Sequence, residues 1–205
     1  MTAAFHRETQ TIPIVFVIAS DPVGDGFIAS LARPGGNITG FVNVEATMGG
    51  KWLELLREAA PKVTRVALMF NPDTAPGGGN YLRPSFEAAA RTLGVRAIIS
   101  PVRNDAEIEA AIAALGSESG GGLVVMTDSF MRVHRGPIIA YTARHKVPAV
   151  HPLRVFALEG GLMAHGPYNT DLFRGAAPYV DLKTAKALGL DIPPTVLVSA
   201  DEVIE

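Results

Sequence analysis

The stretch formed by residues 63–81 constrains the fold of this chain most strongly. Val66 begins an unbroken apolar run that ends at Phe70 and is short enough for a strand. A strand without polar alternation is normally covered on both faces, as in a parallel sheet. Asn71, Asp73 and Thr74 follow directly, so polar side chains stand where the strand ends. In open α/β sheets, ligands bind at that edge.

Composition excludes several other classes. The chain has 205 residues, of which 48% are hydrophobic and 19% charged, as expected for a soluble globular protein with one large or two small lobes. With 18 basic and 20 acidic residues and no basic run, it lacks the electrostatic signature of a nucleic-acid-binding protein. The longest apolar run, at 12–19, is too short for a membrane span, and no export signal is visible before it. The absence of cysteine excludes disulfides and thiolate chemistry.

Strand and helix patterns alternate from Arg65 onward. This alternation predicts an α/β fold with a right-handed, doubly wound parallel sheet, and a flavodoxin-like order would place the first and third strands side by side. The predicted strands lie at 12–19, 38–44, 66–70, 96–100, 123–126, 149–151 and 162–165, and the predicted helices at 23–32, 50–60, 84–93, 106–115, 134–145 and 170–180.

Polar residues follow two of the strands that this order makes neighbours. Asn71, Asp73 and Thr74 follow one, and Thr127 and Asp128 follow the other. Each residue type is also an ordinary helix N-cap, so capping and ligand contact are about equally good interpretations of any single one. Clustering at one edge favours ligand binding. Together with Asp21, the carboxylates of Asp73 and Asp128 would also suit a Mg²⁺ or phosphoryl-transfer site.

An alternative function is a nucleotide-dependent α/β enzyme. Gly24, Gly26 and Ala29 follow a strand, with Glu45 further on, which imitates a dinucleotide-binding fingerprint. The placement argues against it, because the turn is already filled by residues 20–23 and Gly24 would lie inside the next helix.

The histidines and aromatic residues give weaker signals. No two histidines have the spacing of a metal site, although His151 and His165 stand at strand ends. Trp52 has the helical spacing of a core residue, whereas Phe130 and Tyr168 are better placed to cover an aromatic ring.

Several longer motifs resemble the solute-binding components of ABC transporters, in the group with a type I periplasmic-binding-protein fold that includes tryptophan- and other aromatic amino-acid-binding proteins. The motifs are I-V-F-V-I-A-S-D-P-V at 14–23, L-A-R-P-G-G-N-I-T-G at 31–40, G-G-K-W-L-E-L-L at 49–56, and the segments 65–72, 84–90, 108–112 and 182–190.

The resemblance implies a non-enzymatic receptor, without cofactor or metal, in which two α/β lobes close on a small solute, such as an amino acid, in an interlobe cleft. Its partner would be a membrane permease, and its location periplasmic. The effector domain of a transcription regulator has a related fold and ranks lower, because no helix-turn-helix is evident. The implied solute-binding residues are Ser20 and Asp21 in the first lobe, and Asn71, Asp73, Thr74, Thr127, Asp128, Tyr168 and Asn169 in the second.

The same resemblance predicts the division of the chain. Residues 1–45 would be a partial first lobe, residues 46–180 the second lobe, and residues 181–205 a segment returning to the lobe interface. Family members carry further first-lobe strands before the one at 12–19. If the chain is the whole polypeptide, an unpaired sheet edge is expected there, and it would favour strand exchange or a homodimer.

Overall fold

Parallel β-structure organises the chain. The computed structural model describes residues 2–166, 179–181 and 202–204. The chain divides into unit 1, formed by Met1–Asn43 and Pro167–Glu205, and unit 2, formed by Val44–Gly166.

Unit 2 contains a five-stranded sheet. Its strands are β3 (Arg65–Phe70), β4 (Arg96–Pro101), β5 (Gly121–Val125), β6 (Ala149–His151) and β7 (Met163–Ala164). They lie in the order β4-β3-β5-β6-β7, and every neighbouring pair is parallel. This is the predicted flavodoxin-like order, with the unit's first and third strands, β3 and β5, side by side. The prediction of a doubly wound α/β fold is confirmed.

Helices cover both faces of this sheet. They are α2 (Met48–Ala59), α3 (Arg83–Thr92), α4 (Asp105–Gly116), α5 (Ser129–Val133), α6 (Arg135–Arg144) and α7 (Arg154–Leu158), with a 3₁₀ turn at Pro76–Gly79. Successive residues of β3 point to opposite faces. Val66 and Leu68 pack with Trp52 of α2, while Ala67 and Met69 pack in the cluster that contains Ile108 of α4. Burial on both faces explains why β3 lacks polar alternation.

Unit 1 contains the helix α1 (Thr2–Glu8) and the parallel strands β1 (Ile14–Ala19) and β2 (Ile38–Val42), with β8 (Tyr179–Asp181) and β9 (Glu202–Ile204) forming a second parallel pair. Phe16, Ile28 and Ile38 form its buried cluster. A bulge interrupts β1 at Ile18, whose φ of 67° is rare for a β-branched residue.

The helix predicted at 23–32 is wrong. Asp21 accepts a hydrogen bond from the backbone N–H of Gly24, and a single turn then ends at Gly26, whose φ is +74°. A left-handed residue cannot continue a right-handed helix. The segment therefore connects β1 to β2 as turns and bends.

Smaller differences from the predicted elements concern three short helices and the segment at 170–180. The helices α1, α5 and α7 were not predicted, because two have five residues and α1 has seven, too few to show a period. The helix predicted at 170–180 falls mostly outside the described residues, and its last two residues lie in β8. In the described part of the chain, no helix is long and apolar enough to cross a membrane.

The 3₁₀ turn after β3 provides a test of this packing. Gly78 and Gly79 both have positive φ, but only at Gly79 would a Cβ overlap the Phe70 ring, at 2.2 Å. We expect Gly78→Ala to lower the free energy of unfolding by about 1 kcal/mol through backbone strain, and Gly79→Ala by about 2–4 kcal/mol through strain plus overlap. Urea unfolding of both variants measures this, and equal losses would contradict the described position of Phe70.

Candidate functional site

The side chain of Asp128 joins the ends of two neighbouring strands. Its Oδ2 accepts a hydrogen bond of 3.1 Å from the backbone N–H of Asn71, which follows β3. Its Oδ1 accepts from the Thr74 hydroxyl at 3.1 Å and from the Met131 N–H at 2.7 Å. Asp128 is thus both the N-cap of α5 and a link between the carboxyl ends of β3 and β5. The predicted residues Asn71, Thr74 and Asp128 do lie together.

A second set of contacts extends this cluster toward β4. The side chain of Asn71 accepts a hydrogen bond of 2.8 Å from the backbone N–H of Asp73. Asp73 Oδ2 in turn accepts from Arg103 Nε at 3.1 Å. Arg103 lies two residues beyond β4, and its backbone N–H donates to Glu107. The carboxyl ends of three adjacent strands therefore meet in one network of side chains.

The residues of this network differ in how many side-chain atoms they leave for a ligand. Both oxygens of Asp128 already accept hydrogen bonds from the protein, so its first role is to position other groups. Asn71 is 4% exposed, and its Nδ2 donates to none of the described residues. Thr127 is 8% exposed and lies two residues beyond the end of β5. These groups, with Asp73 and Arg103, leave polar atoms at the edge that can bind a solute.

Burial sets the protonation behaviour of Asp128. Desolvation raises the pKa of this carboxyl group above its ordinary value. Hydrogen bonds from Met131, Asn71, Thr74 and Phe130 act in the opposite direction and offset part of that rise. These donors therefore favour the charged form of the carboxyl group, which burial disfavours.

The two predicted site residues of unit 1 make local contacts. The Ser20 hydroxyl donates to Asn43 Oδ1 at 3.0 Å, joining the segments that follow β1 and β2. Asp21 accepts from Gly24 in the turn described above. Burial, followed by the charge of Asp21, raises the pKa of Asp25. A role of Ser20 and Asp21 in binding stays a prediction.

Of the two aromatic residues predicted to cover a ring, the structure describes Phe130 but not Tyr168. Phe130 is half-buried and stacks on His134 with ring centroids 3.8 Å apart. Tyr168 and Asn169 lie outside the described residues. Trp52 is completely buried and donates to the His165 carbonyl at 2.6 Å, which confirms its core position.

His151 ends β6 on the same side of the sheet. It is completely buried and stacks on Phe156 at 4.6 Å, and neither ring nitrogen has a hydrogen-bond partner among the described residues. Desolvation lowers the pKa of His151 from 6.5 to about 4. The imidazole is therefore neutral at physiological pH.

The alternative sites lack the geometry that they require. A dinucleotide fingerprint needs a helix N-terminus after the first strand. Gly24 and Gly26 instead lie in the turns between β1 and β2. As for a metal site, the described residues contain no group of three His, Asp or Glu side chains that could hold an ion.

Sequence reasoning missed Arg103 and Asn43. Both residues follow a strand and therefore lie at the carboxyl end of a sheet strand, and this position was visible in the sequence. The strands before them, β2 and β4, are only partly buried and are less apolar in sequence than β1, β3 and β5, so the residues after them give a weaker signal.

The fold is of the periplasmic-binding-protein-like α/β type. The chain matches the model of the ABC transporter substrate binding protein family over residues 2–181, and it belongs to that family. It is 25% identical over 206 residues to the tyrosine-binding protein of Clostridioides difficile strain R20291, covering 98% of this chain and 57% of that protein. The chain thus spans little more than half the length of this relative.

Solved structures share the fold. An ABC domain from Streptococcus pneumoniae in complex with L-Trp superimposes with a TM-score of 0.73 at 21% identity, over 99% of this chain and 75% of that one. A conserved domain protein from Vibrio cholerae gives a TM-score of 0.72 at 22% identity, over 98% and 75%. A ligand-free, open substrate-binding protein from Clostridium difficile gives 0.58 at 23% identity, over 94% and 72%.

Replacing Asp128 by Asn tests its role as a link between strands. An Asn side chain has one acceptor oxygen and one NH₂ group. In one orientation the NH₂ group faces the Asn71 N–H, and in the other it faces the α5 donors. We expect a loss of about 1–3 kcal/mol in the free energy of unfolding, since a buried donor loses its acceptor. Thr74→Val, which removes one exposed hydroxyl, should cost about 0.5–1.5 kcal/mol. A stability of Asp128→Asn equal to wild type in urea unfolding would contradict the link.

The buried His151 predicts how stability depends on pH. The unfolded chain binds a proton near pH 6.5, whereas the folded chain does so only near pH 4. Stability is therefore lost as the pH falls from 6.5 to about 4, by up to about 3 kcal/mol. His151→Leu should remove this part of the pH dependence in urea unfolding at pH 7, 5.5 and 4.5. An unchanged slope in the variant would rule out His151 as its source.

Proposed function

We propose that this chain is the solute-binding component of an ABC transporter and that it binds its solute at the carboxyl edge of the unit 2 sheet without changing it chemically. The observation that carries the proposal is the Asp128 link, which holds the polar ends of β3 and β5 together. Membership of the substrate-binding family supports the same function. A pocket of this kind needs fixed donors and acceptors rather than a nucleophile.

An amino acid, aromatic in particular, is the solute class that we propose. One relative is named a tyrosine-binding protein, and one protein of the same fold was solved with L-Trp. In this chain, Asn71 and Thr127 offer hydrogen-bonding groups at the edge, and Phe130 offers an aromatic surface. The carboxylate and ammonium groups of an amino acid would contact Asn71 and Thr127, and its side chain would contact Phe130.

The proposed partners follow from transport. A substrate-binding protein delivers its solute to a membrane permease. We therefore propose that this chain acts outside the cytoplasm, in the periplasm of a bacterium with two membranes. A homodimer through the edge of the β1–β2 pair is also proposed, because these two strands pair only with each other among the described strands. Sedimentation velocity would test the dimer.

A thermal-shift panel tests the binding function. We expect L-tryptophan or L-tyrosine to raise the melting temperature, because a ligand at about 100 times its dissociation constant adds roughly 2.7 kcal/mol to stability. NAD and ATP should give no shift, since they belong to the enzymatic alternative. A shift with a nucleotide and none with amino acids would contradict the receptor.

Asp128→Ala should abolish the amino-acid shift, because the loops after β3 and β5 lose their common acceptor. Glu118→Ala is the control, since Glu118 pairs with Arg65 at the opposite, amino edge of the sheet. Circular dichroism at the assay temperature verifies that both variants are folded. An amino-acid shift of wild-type size in folded Asp128→Ala would show that this edge is not the site.

A further inference from the structure

The ion pair between Arg103 and Asp73 has unused binding capacity. Arg103 contacts Asp73 through Nε alone, and its two terminal nitrogens make no hydrogen bond to the part of the chain that the structure describes. Asp73 uses Oδ2 for that contact, and its Oδ1 is likewise without a described donor. The pair therefore offers two donors and one acceptor beside each other.

Other contacts fix the position of the pair. Asp73 is held by the Asn71 side chain, and the Arg103 backbone is held by Glu107. The register of β4 with β3 contributes too, because Pro101 lies opposite Phe70 and the Val102 N–H donates to the Phe70 carbonyl at 2.9 Å. Arg103 is thus brought to the same edge as Asn71 by the sheet itself.

The pair has little structural purpose. The side chains of Arg103 and Asp73 are 57% and 66% exposed, and ion pairs with that exposure contribute little to stability. A guanidinium group can bind a carboxylate with two parallel hydrogen bonds. Because Nε of Arg103 already contacts Asp73, its two terminal nitrogens would supply them.

We infer that Arg103 binds the carboxylate of a zwitterionic α-amino acid while Asp73 binds its ammonium group. This inference rests on the function proposed above and specifies the solute class. The two charges of an α-amino acid are carried by one carbon and its carboxyl group, which matches a cation and an anion in direct contact. The pair is neutral when empty, so it favours a neutral zwitterion over a solute with net charge.

Calorimetry on two matched ligands tests the inference. L-tryptophan and tryptamine differ by the carboxylate alone, and their affinities are measured directly or by competition. Arg103→Gln should weaken L-tryptophan binding about 10–100-fold and change tryptamine binding less than about twofold. Arg103→Lys, which keeps the charge but not the planar fork, should fall between wild type and Arg103→Gln. Arg91→Gln, an exposed arginine near the end of α3, should bind both ligands like wild type.

Asp73→Asn supplies the complementary measurement. It should weaken L-tryptophan binding and leave binding of indole-3-propionate, which lacks the ammonium group, unchanged or stronger. Equal losses of both ligands in Arg103→Gln, or no loss of either, would overturn the inference while leaving the receptor intact. If wild type binds none of the amino acids, the proposed function fails and the inference fails with it.

Discussion

The arrangement of the candidate site depends on one carboxylate. Asp128 accepts hydrogen bonds from Asn71, Thr74 and Met131, so it links the ends of β3 and β5 and begins α5. The parallel sheet brings these strand ends close, but backbone pairing stops at Met69 and Val125, and the Met126 N–H adds one more bond to Met69. Beyond that point, the Asp128 side chain holds the Asn71 backbone and the Thr74 hydroxyl. Asn71 in turn holds Asp73, and the register of β4 with β3 places Arg103. A single acceptor shared by two loops thus fixes part of the edge at which we propose that the solute binds.

Two aspartates at this edge differ in their contacts: Asp128 links two loops, whereas Asp73 is proposed to contact the solute. Asp128 was a candidate for direct ligand contact, but its oxygens accept hydrogen bonds from the protein. Asn71, Asp73 and Arg103, in contrast, each have a donor or acceptor without a partner in the part of the chain that the structure describes. Burial makes the carboxylate costly, which the surrounding donors offset only in part. The residue that positions this edge and the residues proposed to contact the solute are therefore neighbours in one hydrogen-bond network.

The fold was predictable because its signals are local. The apolar run of β3 and the alternation after it suffice for a doubly wound sheet, and the strand order brings residues 71–74 and 127–128 together. The helix predicted at 23–32 failed because a side-chain contact, Asp21 to Gly24, and the left-handed Gly26 determine that segment. Arg103 follows β4, which the sequence shows, but its contact with Asp73, thirty positions earlier, is one that no spacing rule describes.

A crystal structure of this chain with bound L-tyrosine would test the central claim most directly, because it locates the solute relative to the strand ends. The account predicts the amino acid at the carboxyl edge of unit 2, with polar atoms within hydrogen-bonding distance of Asn71 and Thr127. A solute bound away from β3 and β5, or at the Gly24 turn, would contradict it.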